Sequence, residues 1–596
     1  MWGSTPLHLS PSPAFLAIAG CSADDAELSE AYAAHFLLAL LRQRRSLRWR
    51  FPRALSEGEK GRFCQWLSKR GRQKFGLSAR AITKIHGAFR RTPGKKVYDV
   101  YLNDPDLQEL YPLGLLPIGQ RHFLGWLTTH GRADQKLTDE QILWFLQESA
   151  EDLDRGVSLT YLLNPSWQEQ FPLALTPSGW RPFNRWLKRT YGKAFNSKSL
   201  RSLSAVLSRP VQRSLSRSIL GLDAPSAQAR LEGVNMLGHF CNYSGLQQAA
   251  LWTKAALERA RLCTSCRDVP VPRPQIPRNR ADWLGLEVFP ITILTHAATP
   301  YFASAYERSG LYRRKEVYRI AYWYWELERV PDEWVAIAPL VDEIWSPTPF
   351  VAQAMRAAMP VPVFDMLPGV EVGSVESVSR EEIGVPQDHC VFLFMFDLLS
   401  QIHRKNPLGV IRAFRRAFRK EDAATLLIKA IGGDIFREDL AALREMARGE
   451  NILLVHEMMS RSKTYGFVEM CDCFVSLHRS EGFGLGLAEA MLLGKPVIAT
   501  GYSGNLAFMN RENSMLVDYE MVEIAEDLPV YTKGNHWAEP SIKQAAQYLR
   551  YVYENREEAA ARARHVQPEI QRLLSLEVAG RRMRDRLEQI TVNEGI

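Results

Sequence analysis

Two glutamates eight positions apart, Glu481 and Glu489, stand on either side of a glycine-rich loop in the carboxyl-terminal part of the chain. Glycines at 482, 484 and 486 let the backbone approach a ligand closely, and a helix starting there offers unpaired N–H groups to an anion such as a diphosphate. Two carboxylates beside an anion site suit a ligand with phosphates at its middle and hydroxyl groups at both ends. A sugar nucleotide has that form.

The segments around this loop alternate between strand and helix. Residues 473–477 and 496–500 are apolar runs typical of buried strands, and residues 485–493 between them have a helical pattern. Strand, glycine loop, helix and strand form half of a doubly wound α/β domain, in which ligands bind at the carboxyl ends of the strands. Apolar runs at 391–396, 426–429 and 452–455 predict the rest of a parallel sheet.

The sequence E-G-F-G-L-G-L-A-E at 481–489 resembles the E-x7-E signature of family 4 (group 1) glycosyltransferases, which have the GT-B fold of two Rossmann-like domains. The resemblance extends from Gly233 onward. It implies that Glu489 holds the ribose hydroxyls of a nucleotide-sugar donor and that Glu481 contacts the transferred sugar as a catalytic residue. It also places these residues in the donor site: Gly482, Phe483, Gly484, Leu485, Ser503, Gly504 and Asn505.

A basic pair follows the strand predicted at 391–396. Arg404 and Lys405 match the pair that contacts the donor diphosphate in this family, although Asp397 stands where many relatives have a further arginine. Arginine binds phosphate oxygens bidentately, and lysine supplies a compact charge. These cations replace the metal ion of other transferases, so we expect no metal and no cofactor besides the nucleotide sugar as substrate.

The domain that opens at Gly233 supplies the acceptor side. By resemblance, its first loop carries Asn242, Tyr243, Ser244 and Gly245. His296 ends a predicted strand at 291–295, and either a sugar contact or a structural histidine fits that position. Residues 319–328 read as a strand that runs into Trp325 and Glu326, and they resemble the Trp-Glu segment of bacterial polysaccharide glycosyltransferases. We expect Glu326 to be catalytic and leave Trp325 open between sugar contact and core.

Residues 30–195 contain an internal repeat with a period of 60. Phe63, Phe123 and Phe183 fall in register, each followed by a Trp-Leu pair three positions later, which predicts one face of a helix in each copy. Ser56 and Glu59 have the spacing of a capping box. We expect three stacked helical modules that fold independently, so that a chain beginning near Ser218 still binds donor.

Charge is unevenly distributed along the chain. The first 230 residues hold 33 Lys and Arg against 19 Asp and Glu, although the whole chain has a net charge of only +9. The basic surface at 42–53 and 69–74 is either solvated or a docking site for anionic lipid, a polymer or a partner protein. Nucleic acid is not expected, because no reader motif accompanies the charge.

These observations predict an α/β protein of GT-B type preceded by an all-α region. The expected divisions are helical repeats at 1–195, a linker at 196–230, an acceptor-side domain at 231–375, a donor domain at 376–560 and a carboxyl-terminal helix at 561–596. We expect transfer with retention to a saccharide or lipid-linked saccharide, in the cytoplasm with peripheral contact at the inner face of the membrane. A phosphorylase-type transferase and a non-catalytic nucleotide-sugar-binding scaffold are the alternatives.

Overall fold

The computed structural model describes residues 30–176, 179–191, 231–271, 280–449 and 451–596, so the predicted linker lies outside the described residues. The chain forms an all-α region followed by two parallel sheets of six strands each. This is the predicted GT-B class with a helical region before it. Among the described residues, no helix is both long and apolar enough to cross a membrane.

Short helices make up the first region. In chain order they are Glu30–Gln43, Arg45–Arg50, Arg62–Trp66, Arg72–Phe75, Ala79–Arg91, Lys95–Asn103, Pro105–Leu110, Pro117–Thr128, His130–Ala133, Asp139–Glu151, Leu153–Leu163, Pro165–Gln170 and Trp180–Tyr191.

An aromatic core recurs in each repeat. The rings of Phe63, Phe123 and Phe183 are fully buried, and each stacks on the tryptophan three positions later at 5.8–6.3 Å between centroids. A ring twelve positions earlier packs on each phenylalanine at 5.4–5.5 Å. The predicted helical face is therefore a buried core in all three copies.

The predicted capping box at Ser56 and Glu59 is wrong. The helix begins six residues later, at Arg62, with Gly61 at its N-cap. The Glu59 carboxylate instead contacts His86 at 3.0 Å and Arg90 at 3.3 Å on the helix Ala79–Arg91. A contact between distant segments has therefore taken the side chain that the local pattern assigned to a cap.

The first parallel sheet has the strand order β2-β1-β3-β4-β5-β6. Its strands are β1 (Gly233–Gly238), β2 (Cys263–Asp268), β3 (Ile291–Thr295), β4 (Tyr318–Tyr322), β5 (Glu343–Ser346) and β6 (Val363–Asp365). Helices Gly245–Arg259, Ala305–Ser309, Asp332–Ile337 and Pro349–Arg356 connect them. The strand predicted at 319–328 ends at Tyr322, so Trp325 and Glu326 lie in a loop beyond the sheet edge.

The second parallel sheet has the order β12-β11-β10-β7-β8-β9. Its strands are β7 (Cys390–Asp397), β8 (Ala424–Ile431), β9 (Ile452–His456), β10 (Cys473–Ser476), β11 (Val497–Thr500) and β12 (Met515–Val517). The helices between them are Ile402–Lys405, Pro407–Ala417, Arg437–Met446, Arg461–Met470 and Leu485–Leu492. The central position of β10 and β7 brings their carboxyl-end loops together.

The end of the chain joins the two α/β domains. An antiparallel hairpin, β13 (Tyr519–Glu523) and β14 (His536–Pro540), precedes the helices Ile542–Glu554, Arg556–Leu573 and Leu576–Glu594. The last helix returns to the first domain, where a side chain at Gly580 would overlap the carbonyl oxygen of Ala256. Arg586 on the same helix forms an ion pair with the buried Glu343 of β5.

The helical region packs closely against the first α/β domain, and whether it folds independently stays a prediction. Two buried arginines of that domain, Arg267 and Arg280, donate to the carbonyl oxygens of Leu162 and Leu102. These carbonyls lie near the ends of equivalent helices in the third and second repeats. A single apolar cluster runs from the second repeat into the domain.

Candidate active site

The glycine loop lies between β10 and the helix Leu485–Leu492, as the sequence predicts. Gly484 has a φ of 91°, a conformation that favours glycine, and a side chain there would lie 3.0 Å from Leu487. The helix starts at Leu485, so its first N–H groups have no acceptor within the helix. Phe483 packs on Phe508 at 5.1 Å and is core, which leaves the backbone of this loop as its ligand-facing part.

Glu481 lies buried against both predicted cations. Lys405 Nζ contacts its Oε1 atom, and Arg404 Nη1 lies 3.1 Å from Oε2. Burial favours a raised pKa for Glu481, but Lys405 and Arg404 outweigh it and lower that pKa to about 2. The carboxylate is therefore ionised at every physiological pH, and the three side chains form one charged group.

The short helix Ile402–Lys405 positions the two cations. Arg404 is only 4% exposed and also donates to the carbonyl oxygen of Ser480 at 2.8 Å. Asn406 caps the following helix through Gly409 N–H and donates to the carbonyl oxygen of Leu477. These bonds tie the loop after β7 to the loop after β10, so the cations have little freedom to move away from Glu481.

Glu326 reaches the same group from the first domain. Its Oε1 atom lies 3.8 Å from Arg404 Nη2, and its Oε2 atom accepts a hydrogen bond of 3.2 Å from the Tyr531 hydroxyl. Its backbone carbonyl accepts from the Ser480 hydroxyl. The neighbouring Trp325 is buried against Trp334 and Tyr531, so its ring belongs to the core.

The segment Ser503, Gly504 and Asn505 braces the Glu481 loop. The Glu481 N–H donates to Ser503 Oγ at 2.8 Å, and the Gly504 N–H donates to the Glu481 carbonyl at 2.8 Å. Asn505 is fully buried and donates to the carbonyl oxygen of Thr500 at 3.1 Å. The Gly504 N–H is therefore taken by the loop that carries Glu481.

Glu489 lies on the helix Leu485–Leu492, about one turn after its first residue. Its Oε1 atom contacts Arg461 Nη2 and accepts a hydrogen bond of 3.3 Å from the Tyr465 hydroxyl. Arg461 begins the helix Arg461–Met470 and is partly exposed. The predicted ribose-binding carboxylate is thus held between an arginine and a tyrosine that no sequence motif indicated.

His296 follows β3 and is completely buried in the first domain. Its Nδ1 atom donates to the carbonyl oxygen of Ala297 at 3.1 Å, which leaves Nε2 as an acceptor without a partner among the described residues. Burial and the nearby His239 lower the pKa of His296 to about 3, so the ring is neutral. Within the described ranges, no hydrogen bond joins it to the Glu481 group.

The predicted acceptor-side loop lies opposite the start of the donor helix. Ser244 caps the helix Gly245–Arg259 by accepting from Gln247 N–H, and the Tyr243 ring is exposed. A side chain built on Gly245 would lie 3.9 Å from Leu485 Cδ2. The loop with Asn242 and Tyr243 therefore lies close to the start of the helix Leu485–Leu492.

Tyr531 is another site residue that sequence analysis missed. It lies in the loop of the β13–β14 hairpin, which carries no motif, and its ring packs on Trp325 at 5.7 Å and on Trp537 at 6.2 Å. In the parts of the chain that the structure describes, no group of His, Cys, Asp and Glu is arranged to hold a metal ion. The metal-free mechanism stays a prediction.

Comparison with known proteins places the donor half of this site in a family. A sequence profile described as "Glycosyl transferases group 1" matches residues 378–566, and no curated protein matches the chain. Among solved structures, Anabaena Alr3699/HepE in complex with UDP and glucose is 12% identical and covers 60% of this chain and 100% of its own, at a TM-score of 0.42. Sucrose-phosphate synthase from Thermosynechococcus elongatus is 13% identical, and the match covers 61% of this chain and 100% of that protein, at a TM-score of 0.45.

Proposed function

Residues 378–566 of this chain belong to the group 1 glycosyltransferases, and from that premise we propose that the protein transfers a sugar from a nucleotide-sugar donor to a saccharide or lipid-linked saccharide. The observation that carries the proposal is the buried group of Glu481, Arg404 and Lys405 beside the helix start at Leu485. Glu326 of the first domain closes this group, so a ligand held here touches both domains.

The donor diphosphate is assigned to Arg404, Lys405 and the first N–H groups of the helix Leu485–Leu492. Arg404 is buried and the Lys405 side chain is only 18% exposed, and low local polarity strengthens their attraction for a phosphate. Before the donor binds, Glu481 holds them in place at close range. On binding, the diphosphate shares these cations, and Glu481 becomes an acceptor for hydroxyl groups of the sugar.

The reaction breaks the bond between the sugar C1 atom and the diphosphate oxygen and forms a bond from C1 to the acceptor oxygen on the same face. The acceptor proton passes to an oxygen of the departing phosphate, whose negative charge Lys405 and Arg404 stabilise. No metal ion is required, because these cations carry the charge that a metal carries in other transferases. The neutral Nε2 atom of His296 and the Glu326 carboxylate accept sugar hydroxyls, and Glu489 accepts the ribose hydroxyls.

The acceptor enters beside Asn242, Tyr243, Ser244 and Gly245. Tyr243 is exposed at the mouth of the site and offers a ring face and a hydroxyl, the combination that binds sugars. The proposed setting is the cytoplasm, with a growing saccharide as the acceptor. The finer assignments, retention and acceptor class, rest on the family resemblance.

Titration calorimetry with UDP, GDP, ADP and CDP tests the donor assignment. We expect one nucleoside diphosphate to bind the wild type and Lys405→Met to weaken it at least tenfold, about 1.4 kcal/mol, because a charge-assisted hydrogen bond is lost. Lys543→Met on an exposed helix is the matched control and keeps wild-type affinity. Turnover of the matching nucleotide sugar should persist in EDTA.

Two results would contradict the proposal. Binding of every diphosphate to Lys405→Met with wild-type affinity would remove Lys405 from the donor site. A wild type that binds none of the four nucleotides would remove the transferase reaction itself.

A further inference from the structure

One short helix is built three times in the all-α region. The helices Arg45–Arg50, Pro105–Leu110 and Pro165–Gln170 are spaced by 60 residues. Each buries its third residue, which is Leu47, Leu107 or Trp167, and each is followed by an aromatic residue and then a proline. The same helix can therefore be compared in three different surroundings.

The second and third copies are held by internal hydrogen bonds and contact the first α/β domain. Gln108 and Gln168 donate to the carbonyl oxygens of Leu102 and Leu162, which also receive the buried arginines of the first α/β domain. Asp104 and Asn164 cap these helices by accepting a backbone N–H three residues later. In these copies, polar residues of the element satisfy backbone groups or bind the neighbouring domain.

In the first copy, arginines stand at the capping and glutamine positions of the other two copies. Residues 42–53 contain six arginines, whereas the aligned residues 102–113 and 162–173 contain no Lys or Arg. Arg44 stands at the N-cap position and makes no cap hydrogen bond. Arg48 stands where the other copies have glutamine. The first copy has thus given up local hydrogen bonds for positive charge.

Trp49 is the second departure. It is 85% exposed, and the aligned residues are Glu109 and Glu169. Four arginines around it, Arg44, Arg45, Arg48 and Arg50, are exposed as well. Because two copies form the same helix with glutamate at this position, folding does not require tryptophan there. An exposed aromatic ring among arginines serves a contact outside the chain.

We propose that this surface, Trp49 with Arg44, Arg45, Arg48 and Arg50, docks on an anionic lipid membrane. Arginine binds lipid phosphates bidentately, and a tryptophan ring prefers the boundary between headgroups and acyl chains. The Trp49 ring projects from the surface at 85% exposure, which suits insertion into a fluid layer better than a fit into a shaped protein pocket. The docking does not depend on the transferase reaction.

Vesicle flotation tests the docking with the full-length protein. The repeat-swap variant Arg48→Gln/Trp49→Glu/Arg50→Leu installs the residues of the second copy, so it should fold with an unchanged Tm. A control with the same loss of charge, Arg416→Gln/Arg444→Gln/Arg564→Gln, alters exposed arginines of the donor half and its following helix. Trp49→Ala separates the ring from the charge.

We expect the wild type to float with phosphatidylglycerol-containing vesicles, to stay unbound with phosphatidylcholine alone, and to dissociate as salt rises above about 0.15 M. Each cation near an anionic surface contributes about fivefold in partition. The repeat swap should therefore reduce binding by about 100-fold, Trp49→Ala by about fivefold or more at every salt concentration, and the control far less than the swap.

Three results would overturn the proposal. The wild type could fail to bind anionic vesicles, or the repeat swap could bind them as the wild type does. Alternatively, Trp49 and the arginines could govern binding to heparin or to an oligonucleotide while vesicles remain unbound. That last result would make the surface a site for a soluble polyanion. Nucleoside diphosphate affinity should be the same in all variants, so a failure here is distinct from a failure of the donor assignment.

Discussion

Glu481 contacts two consecutive cations, Arg404 and Lys405. Two glycines beside it, Gly482 and Gly504, leave no room for larger residues. A side chain on Gly482 would lie 2.8 Å from the Trp325 carbonyl oxygen, and one on Gly504 would overlap the carbonyl oxygen of Gly482. Such close backbone approach fixes the loop against the first domain. The charged group is therefore preorganised before a donor arrives, which is what electrostatic stabilisation of a leaving phosphate requires.

His296 makes protein stability depend on pH. Burial holds its pKa near 3 in the folded state, against 6.5 in the unfolded chain. The unfolded state therefore takes up a proton first as the pH falls below 6.5, and stability is lost from there down to about pH 3. At pH 5 the loss from this residue is about 2 kcal/mol.

We expect the apparent Tm of His296→Asn to fall less steeply between pH 8 and pH 5 than that of the wild type. Asparagine can still donate to the Ala297 carbonyl but does not titrate. His565→Gln, at an exposed position, should keep the wild-type slope. Parallel slopes for His296→Asn and the wild type, measured by differential scanning fluorimetry, would mean that His296 is protonated in the folded protein.

At the scale of elements, the repeated short helix shows how one local design serves different surroundings. Gln108 and Gln168 make the same hydrogen bonds within their repeats, but only Gln168 also donates to the Gly310 carbonyl at 2.9 Å and accepts from Tyr312 N–H at 3.0 Å. The two residues form a matched pair in which only one carries contacts to the catalytic half.

Gln168→Ala should therefore lower stability more than Gln108→Ala. The difference should be about 1–3 kcal/mol, because the Tyr312 N–H loses its acceptor and the Gly310 carbonyl keeps Arg267 as its side-chain donor. Thermal unfolding of both variants measures it directly. Equal losses would indicate that the Gly310 contacts contribute nothing beyond the repeat itself.

Local patterns predicted those parts of the fold whose physics is local. The glycine loop with its flanking strand and helix, and the phenylalanine and tryptophan columns of the repeats, follow from periodicity and backbone freedom over about ten residues. The capping box at Ser56 failed because Glu59 bonds to the distant His86. Tyr531 and Arg461 could not be foreseen, because only tertiary packing brings them to Glu326 and Glu489.

At the scale of the whole molecule, four connections hold the α/β domains together. The Thr348 hydroxyl donates to the Gly482 carbonyl at 3.0 Å, and Tyr502 donates to Glu328 at 3.1 Å. The β13–β14 hairpin adds Tyr531, and the last helix packs on Gly245–Arg259. Because the Thr348, Tyr502 and Tyr531 contacts involve residues next to the Glu481 group, opening the domains for substrate exchange must also disturb its surroundings.

The helical region is a further partner in this assembly, and its removal should unfold or aggregate the remainder. Arg267 and Arg280 are buried under it, with the carbonyl oxygens of Leu162 and Leu102 as acceptors. Residues 218–596 alone would expose the apolar cluster that both regions share, and an exposed apolar patch favours aggregation.

We expect residues 218–596 expressed alone to be largely insoluble. Co-expression with residues 1–195 should restore a soluble complex that copurifies, because the two fragments regain the buried arginine contacts and the shared core. That complex should bind the same nucleoside diphosphate as the intact chain, which shows that the donor site forms on the assembled scaffold. The contrary outcome is a soluble, monomeric 218–596 fragment with wild-type donor affinity and Tm. The helical region would then contribute nothing to the stability of the catalytic half, and its contacts with Arg267 and Arg280 would only position the basic surface around Trp49.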